Sequence, residues 1–76
     1  MYRLYGNIKG WKLLKTTESE TSILKCLKQY INDYNEINYI IIKNEYNADF
    51  PYKVIYNMVE YFNYINEFNE KIKKMQ

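Results

Sequence analysis

Catalysis near neutral pH needs groups that titrate, ligate or attack, and this chain supplies few of them. It has no histidine, the commonest general base and neutral metal ligand. Its single cysteine, Cys26, cannot form an internal disulfide or a zinc cluster within one chain. Cys26 lies between Leu24 and Leu27, where a small half-buried thiol is expected rather than a nucleophile. Two glycines are too few for a phosphate-cradling loop. Glu67 and Glu70 stand three apart, as a carboxylate pair would on a helix. Lys71 and Lys74 follow at helical spacing, however, and the four read as a solvated ion-pair face. A lone arginine makes a poor phosphoryl clamp unless lysines substitute. The expectation is a protein with no catalytic residue, no metal site and no cofactor.

What remains is chemistry by contact. The opening stretch "MYRLYGNIKGWKLLK" holds Arg3, Lys9, Lys12 and Lys15 among Tyr2, Tyr5 and Trp11, with no acidic residue. Cations interleaved with rings suit single-stranded nucleic acid, charge for the phosphates and rings for the bases. The same types anchor protein interfaces, and long lysine stems also cover ordinary solvated sheet faces. The net charge of +2 does not by itself imply a polyanionic partner. Its distribution is uneven: Glu18, Glu20, Asp33, Glu36, Glu45 and Asp49 make the middle of the chain acidic.

The elements that would position these residues follow from pattern. At 76 residues the chain is expected to form one domain with a modest core. Residues 2–5 and 11–15 read as two strands of a hairpin over 2–15, with "GNIKG" supplying the turn. Thr17 and Glu20 fit a capping box, and Ile23, Leu24, Leu27, Tyr30, Ile31 and Tyr34 share one face of a helix over 18–34. "INYIIIKN" reads as a strand over 38–44. Asp49 is the expected cap, and Pro51 the first turn, of a last helix over 50–74. The expected fold is α+β in the order ββαβα: a three-stranded antiparallel-type sheet with two helices on one face.

Two docking surfaces follow. With Tyr2, Leu4, Trp11, Leu13, Ile40 and Ile42 facing inward, alternation leaves Arg3, Tyr5, Lys12, Leu14, Tyr39, Ile41 and Lys43 on an open face. Leu13–Leu14 leaves the parity of the second strand open, and a bulge near Gly10 would reverse Trp11. Arg3, Tyr5, Lys12, Tyr39 and Lys43 are the expected partner-binding residues. On a last helix about 36 Å long, Val54, Met58, Tyr61, Ile65, Phe68, Ile72 and Met75 step by fours and threes. Beyond Ile65 only Phe68, Ile72 and Met75 continue, a narrow seam that predicts self-association as a homodimer or cover by the first helix.

The segments "MYRLYG", "KGWKLLK" and "INDYNEINYIIIK" resemble small proteins of phages and prophages that begin Tyr-Arg-x-Tyr-Gly, make a hairpin and close with a helix and a strand. The resemblance covers roughly residues 1–45, and the last helix departs from it. In size and in its AT-rich residue usage, ten lysines to one arginine, the chain looks like the counter-defence proteins of phages, anti-CRISPR proteins among them. The resemblance implies a stoichiometric inhibitor docked on a host protein or ribonucleoprotein complex, and it carries over no catalytic residue. A single-stranded nucleic-acid-binding domain on the same open face is the alternative. No signal peptide is visible, and the longest aliphatic run, Ile40–Ile42, is too short to span a bilayer. The cytoplasm of a bacterial host is the expected location.

Overall fold

The computed structural model describes residues 1–34, 38–43 and 51–75. They form six elements in the order ββαββα: β1 Tyr2–Asn7, β2 Trp11–Thr17, α1 Glu20–Asp33, β3 Tyr39–Lys43, β4 Lys53–Ile55 and α2 Met58–Met75. The class is α+β, and the sheet has four antiparallel strands in the order β2-β1-β3-β4. The expected third strand is therefore not an edge.

The fourth strand and the late start of the last helix correct one expectation. Val54 and Ile55 are β-branched and tyrosines flank them, so "YKVIY" suits a pleated surface better than a helix. Asn57 then caps α2, its Oδ1 accepting from the Glu60 N–H at 2.9 Å. Asp49, the expected cap, lies outside the described residues. The helix has 18 residues and is about 27 Å long.

β1 and β2 join through residues 8–10. Lys9 (φ 57°) and Gly10 (φ 108°) both take left-handed conformations, and the Gly10 N–H donates to Asn7 Oδ1 at 3.1 Å. Such a short loop matches the right-handed twist of the strands. Pairing of Leu4 with Lys15 but of Tyr5 with Leu13 makes Leu14 the extra residue of a β-bulge. The bulge turns Leu14 inward and Leu13 outward, the reverse of simple alternation.

Gly6 explains the parity of β3. An added Cβ there would lie 2.7 Å from Leu14 Cδ1 and 3.2 Å from the Tyr39 ring. The bare glycine thus makes the space into which Tyr39, its cross-strand partner, and Leu14 pack. Tyr39 and Ile41 consequently face the helices, and Ile40 and Ile42 face away.

α1 is capped by Ser19, whose side chain accepts from the Ser22 N–H, because β2 runs on to Thr17. It buries Ile23, Leu27 and Ile31, four residues apart each time. These pack with Leu4, Tyr39, Ile41, Ile55, Tyr61 and Tyr64 in one cluster. Leu24 and Tyr30 pack at its margin, and Tyr34 caps the C-terminus, exposed. Both helices therefore cover the face of the sheet that carries Leu4, Tyr39, Ile41 and Ile55. Full burial of Leu27 stabilises by about 1.5–3 kcal/mol.

Candidate protein-docking face

On the side turned away from the helices, strand pairing brings one side chain from each strand into a single row. Tyr5 pairs with Leu13 on one side and with Ile40 on the other, and Ile40 pairs with Val54. The row Leu13–Tyr5–Ile40–Val54 crosses all four strands and is apolar along its length apart from one phenol. Leu13 is 54% exposed and Val54 45%, while Tyr5 and Ile40 are partly buried. One flanking row is Thr16–Arg3–Ile42, and the other holds Trp11, 51% exposed, beside Asn7. Arg3 is the one charged side chain that the described strands place on this face.

The expected binding residues divide. Arg3 and Tyr5 lie on the open face as alternation from Leu4 predicts. Lys12 pairs with Gly6, so the bulge assigns it to the helix-side face of β2, where it is exposed at the sheet edge. Tyr39 is a correction: it is 1% exposed and belongs to the core. Lys43 pairs with Tyr2 and points to the helix side, its Nζ 5.9 Å from the centre of the Tyr2 ring and 5.6 Å from that of Tyr52. Ile41 and Leu14 also leave the open face for the core. In their place come Trp11, Leu13, Ile40, Ile42 and Val54. The Leu-Leu step and the Gly6 position were the signals that could have found them.

This exchange changes the chemistry. The basic and aromatic platform expected from the sequence becomes an apolar row with one guanidinium beside it. Cations still surround it, because β1, β2 and their loop carry Arg3, Lys9, Lys12 and Lys15 without a carboxylate. A surface of this type desolvates readily against apolar side chains and offers few charges to phosphates.

The residues expected for self-association are described in part. Phe68 is partly buried and lines a small cavity with Tyr64, Glu20 and Lys71. Ile72 is exposed, and the side chain of Met75 lies outside the described residues. A different apolar group stands out at the start of α2, where Tyr56, Met58, Val59 and Phe62 are exposed.

Sequence reasoning missed a second constellation. Glu20 is 8% exposed at the first turn of α1, where the helix dipole favours a carboxylate. Its Oε2 accepts from the Tyr64 hydroxyl at 2.7 Å and its Oε1 from Lys71 Nζ at 3.1 Å. Lys53 pairs with Glu67 beside it, its Nζ 5.5 Å from the Tyr52 ring centre and 5.7 Å from that of Tyr64. Burial, then the hydrogen bond to Glu20, pushes the Tyr64 hydroxyl far above its ordinary range. Tyr52 is raised by burial and then by the charge of Glu20, and Lys71 is raised chiefly by its hydrogen bond to Glu20. Both tyrosines thus keep their protons, and Tyr64 donates its own to Glu20. The group ties the N-terminus of α1 to α2. Burial likewise raises the Cys26 thiol, against the opposing charge of Lys15, which disfavours the nucleophilic thiolate.

Among the described residues no three His, Cys, Asp or Glu side chains converge as metal ligands, and no helix is long and apolar enough to cross a membrane. Set against known proteins, the chain matches no family profile, no curated protein and no solved structure.

Proposed function

We propose that this chain is a non-enzymatic binding domain that acts by stoichiometric protein–protein contact through the open face of its sheet. The observation that carries the reading is the row Leu13–Tyr5–Ile40–Val54, flanked by Trp11, on a face that the two helices leave bare. Small domains keep contiguous apolar surface of this kind mainly where a partner covers it. Trp11 and Tyr5 are the residue types that serve as interface anchors, and Arg3 supplies the polar edge. In the setting that the phage-type resemblance implies, the domain is an inhibitor that occludes or blocks assembly of a host defence complex in the bacterial cytoplasm.

The nucleic-acid alternative draws on the same face but, among the described residues, finds only Arg3 there to meet phosphate. The test is capture from host lysate by a tagged copy, with and without nuclease, in parallel with a Leu13→Asp variant. The reading predicts a protein complex retained after nuclease, modestly sensitive to salt and lost with the variant. Material that vanishes with nuclease, or whose binding falls steeply as salt rises, would replace it by nucleic-acid binding.

A further inference from the structure

We infer that the open sheet face is shaped for one amphipathic α-helix of its partner, laid across the strands with a carboxylate-bearing flank turned toward Arg3. The inference rests on the reading of that face as a protein-docking surface and adds the shape and charge of what docks.

The first argument is spacing. Neighbouring strands lie about 4.8 Å apart, so the four side chains of the row Leu13–Tyr5–Ile40–Val54 repeat at that interval. A helix presents one side chain per turn along a given line, at a pitch of about 5.4 Å. Apolar residues at i, i+4, i+7 and i+11 would therefore meet the four strands in turn. Over three intervals the two repeats drift apart by about 2 Å, within the reach of an aliphatic side chain.

The second argument is hydrogen bonding. An occupant of this face meets side chains, so its own backbone groups must be satisfied internally. A helix does this alone. Adding a strand would require an open edge, and both edges discourage it. β2 carries the bulge at Leu14 and the lysines Lys12 and Lys15, while β4 is three residues long.

The third argument is area and charge. Four strands of about five residues give a footprint of about 300 Å², against about 800 Å² per partner in a standard interface. Two copies stacked face to face would offer Arg3 no carboxylate, because the described strands place none on this face. A single helix, about 10–12 Å wide, matches the footprint. Arg3 flanks the row on one side and uncharged Asn7 and Trp11 on the other, so the complementary helix carries acidic residues along one edge of its apolar seam. Lys9, Lys12 and Lys15, with no carboxylate among residues 1–17, add to the field that favours acidic partners.

The test uses two designed helical peptides of about 18 residues, each with leucines at i, i+4, i+7 and i+11. One carries glutamates along the flank of the seam and the other lysines. Each is titrated into the isotopically labelled protein and followed by NMR. The glutamate peptide is expected to shift signals of Leu13, Tyr5, Ile40 and Val54 and to bind about tenfold more tightly than the lysine peptide, a gap of about 1.4 kcal/mol. Arg3→Glu should reverse the order and Arg3→Gln should level it, with the rest of the spectrum unchanged. If neither peptide moves those signals, or both bind equally whatever stands at position 3, the helix inference fails. The docking face itself would survive that failure if a lysate protein is still lost with Leu13→Asp. A single-stranded oligonucleotide that shifts the same row while both peptides are silent would overturn both readings.

Discussion

The hydroxyl of Tyr64 donates to Oε2 of Glu20 at 2.7 Å across 44 positions of sequence, joining the last helix to the first turn of the other. Replacing Glu20 by alanine leaves the Tyr64 hydroxyl without its acceptor inside the fold. Hydrogen bonds to a charged group contribute about 1.5–3 kcal/mol, so Glu20→Ala is expected to cost about 2–3 kcal/mol in urea unfolding. Lys71→Ala should cost under about 1 kcal/mol, because that ammonium is half exposed and solvent screens it. Equal losses from the two variants would show that Lys71, and not Tyr64, holds the carboxylate.

The same tyrosines set a boundary in alkali. Burial pushes the Tyr39 hydroxyl up to about 12, and Tyr64 and Tyr52 are also raised from an ordinary value of 10.0. Below pH 10 the folded and unfolded chains both hold these protons, so their contribution is fully present. Above it the unfolded chain releases protons that the folded chain keeps, and stability falls as pH rises. Each such tyrosine adds a limiting slope of about 1.4 kcal/mol per pH unit, and that of Tyr39 levels off beyond about 12. Lys71, raised from 10.5, acts in the same direction. Urea midpoints from pH 8 to 11.5 should decline above 10, and Tyr64→Phe should shallow the decline. A flat profile would mean that these hydroxyls are solvated in solution.

Tyr39 is buried against Gly6, and its hydroxyl has no hydrogen-bond partner among the described residues. An orphaned buried hydroxyl costs about 1–3 kcal/mol, so Tyr39→Phe should be neutral or raise the melting temperature. Gly6→Ala should lower it, by about 1–3 kcal/mol of stability, since its methyl group would meet Leu14 at 2.7 Å. A melting temperature that drops on Tyr39→Phe would reveal a partner for the hydroxyl.

These two residues also show where the sequence was legible. Helix α1 could be read because Ile23, Leu27 and Ile31 repeat at a spacing that only a helix unites. β1 could be read because Leu4 stands between polar and aromatic neighbours, and so Arg3 and Tyr5 were placed on the correct face. "YIIIK" announces a strand but is apolar in both parities, so its pattern cannot say whether Tyr39 or Ile40 faces the core. The space over Gly6 decides that, and it exists only once β1 and β3 are paired. β4 was hidden because Pro51 after Asp49 imitates a helix start, whereas Asn57 with Glu60 three residues on marks the real one. The carboxylate of Glu20 reads as the acid of a capping box with Thr17, and nothing local indicates that Tyr64 reaches it.

Leu13 and Leu14 provide the sharpest separation of binding from folding, because these adjacent, chemically identical side chains lie on opposite faces of the sheet. Leu14 is partly buried, packs against the core and touches the space over Gly6, so Leu14→Ala should cost about 1–3 kcal/mol. Leu13 is solvent-exposed in the free domain, and Leu13→Ala should change stability by no more than about 0.5 kcal/mol. On partner binding the order should invert. Leu13→Ala removes an anchor at the end of the apolar row, and if it is a hot spot the loss is about 2 kcal/mol or more. Leu14→Ala should weaken binding only in proportion to the fraction unfolded. Paired measurements of urea stability and partner affinity on the two variants test both the register and the face. If Leu13→Ala proved the destabilising member, β2 would pair one residue out of this register, Trp11 would turn inward with Leu13, and the apolar row would lose its first residue.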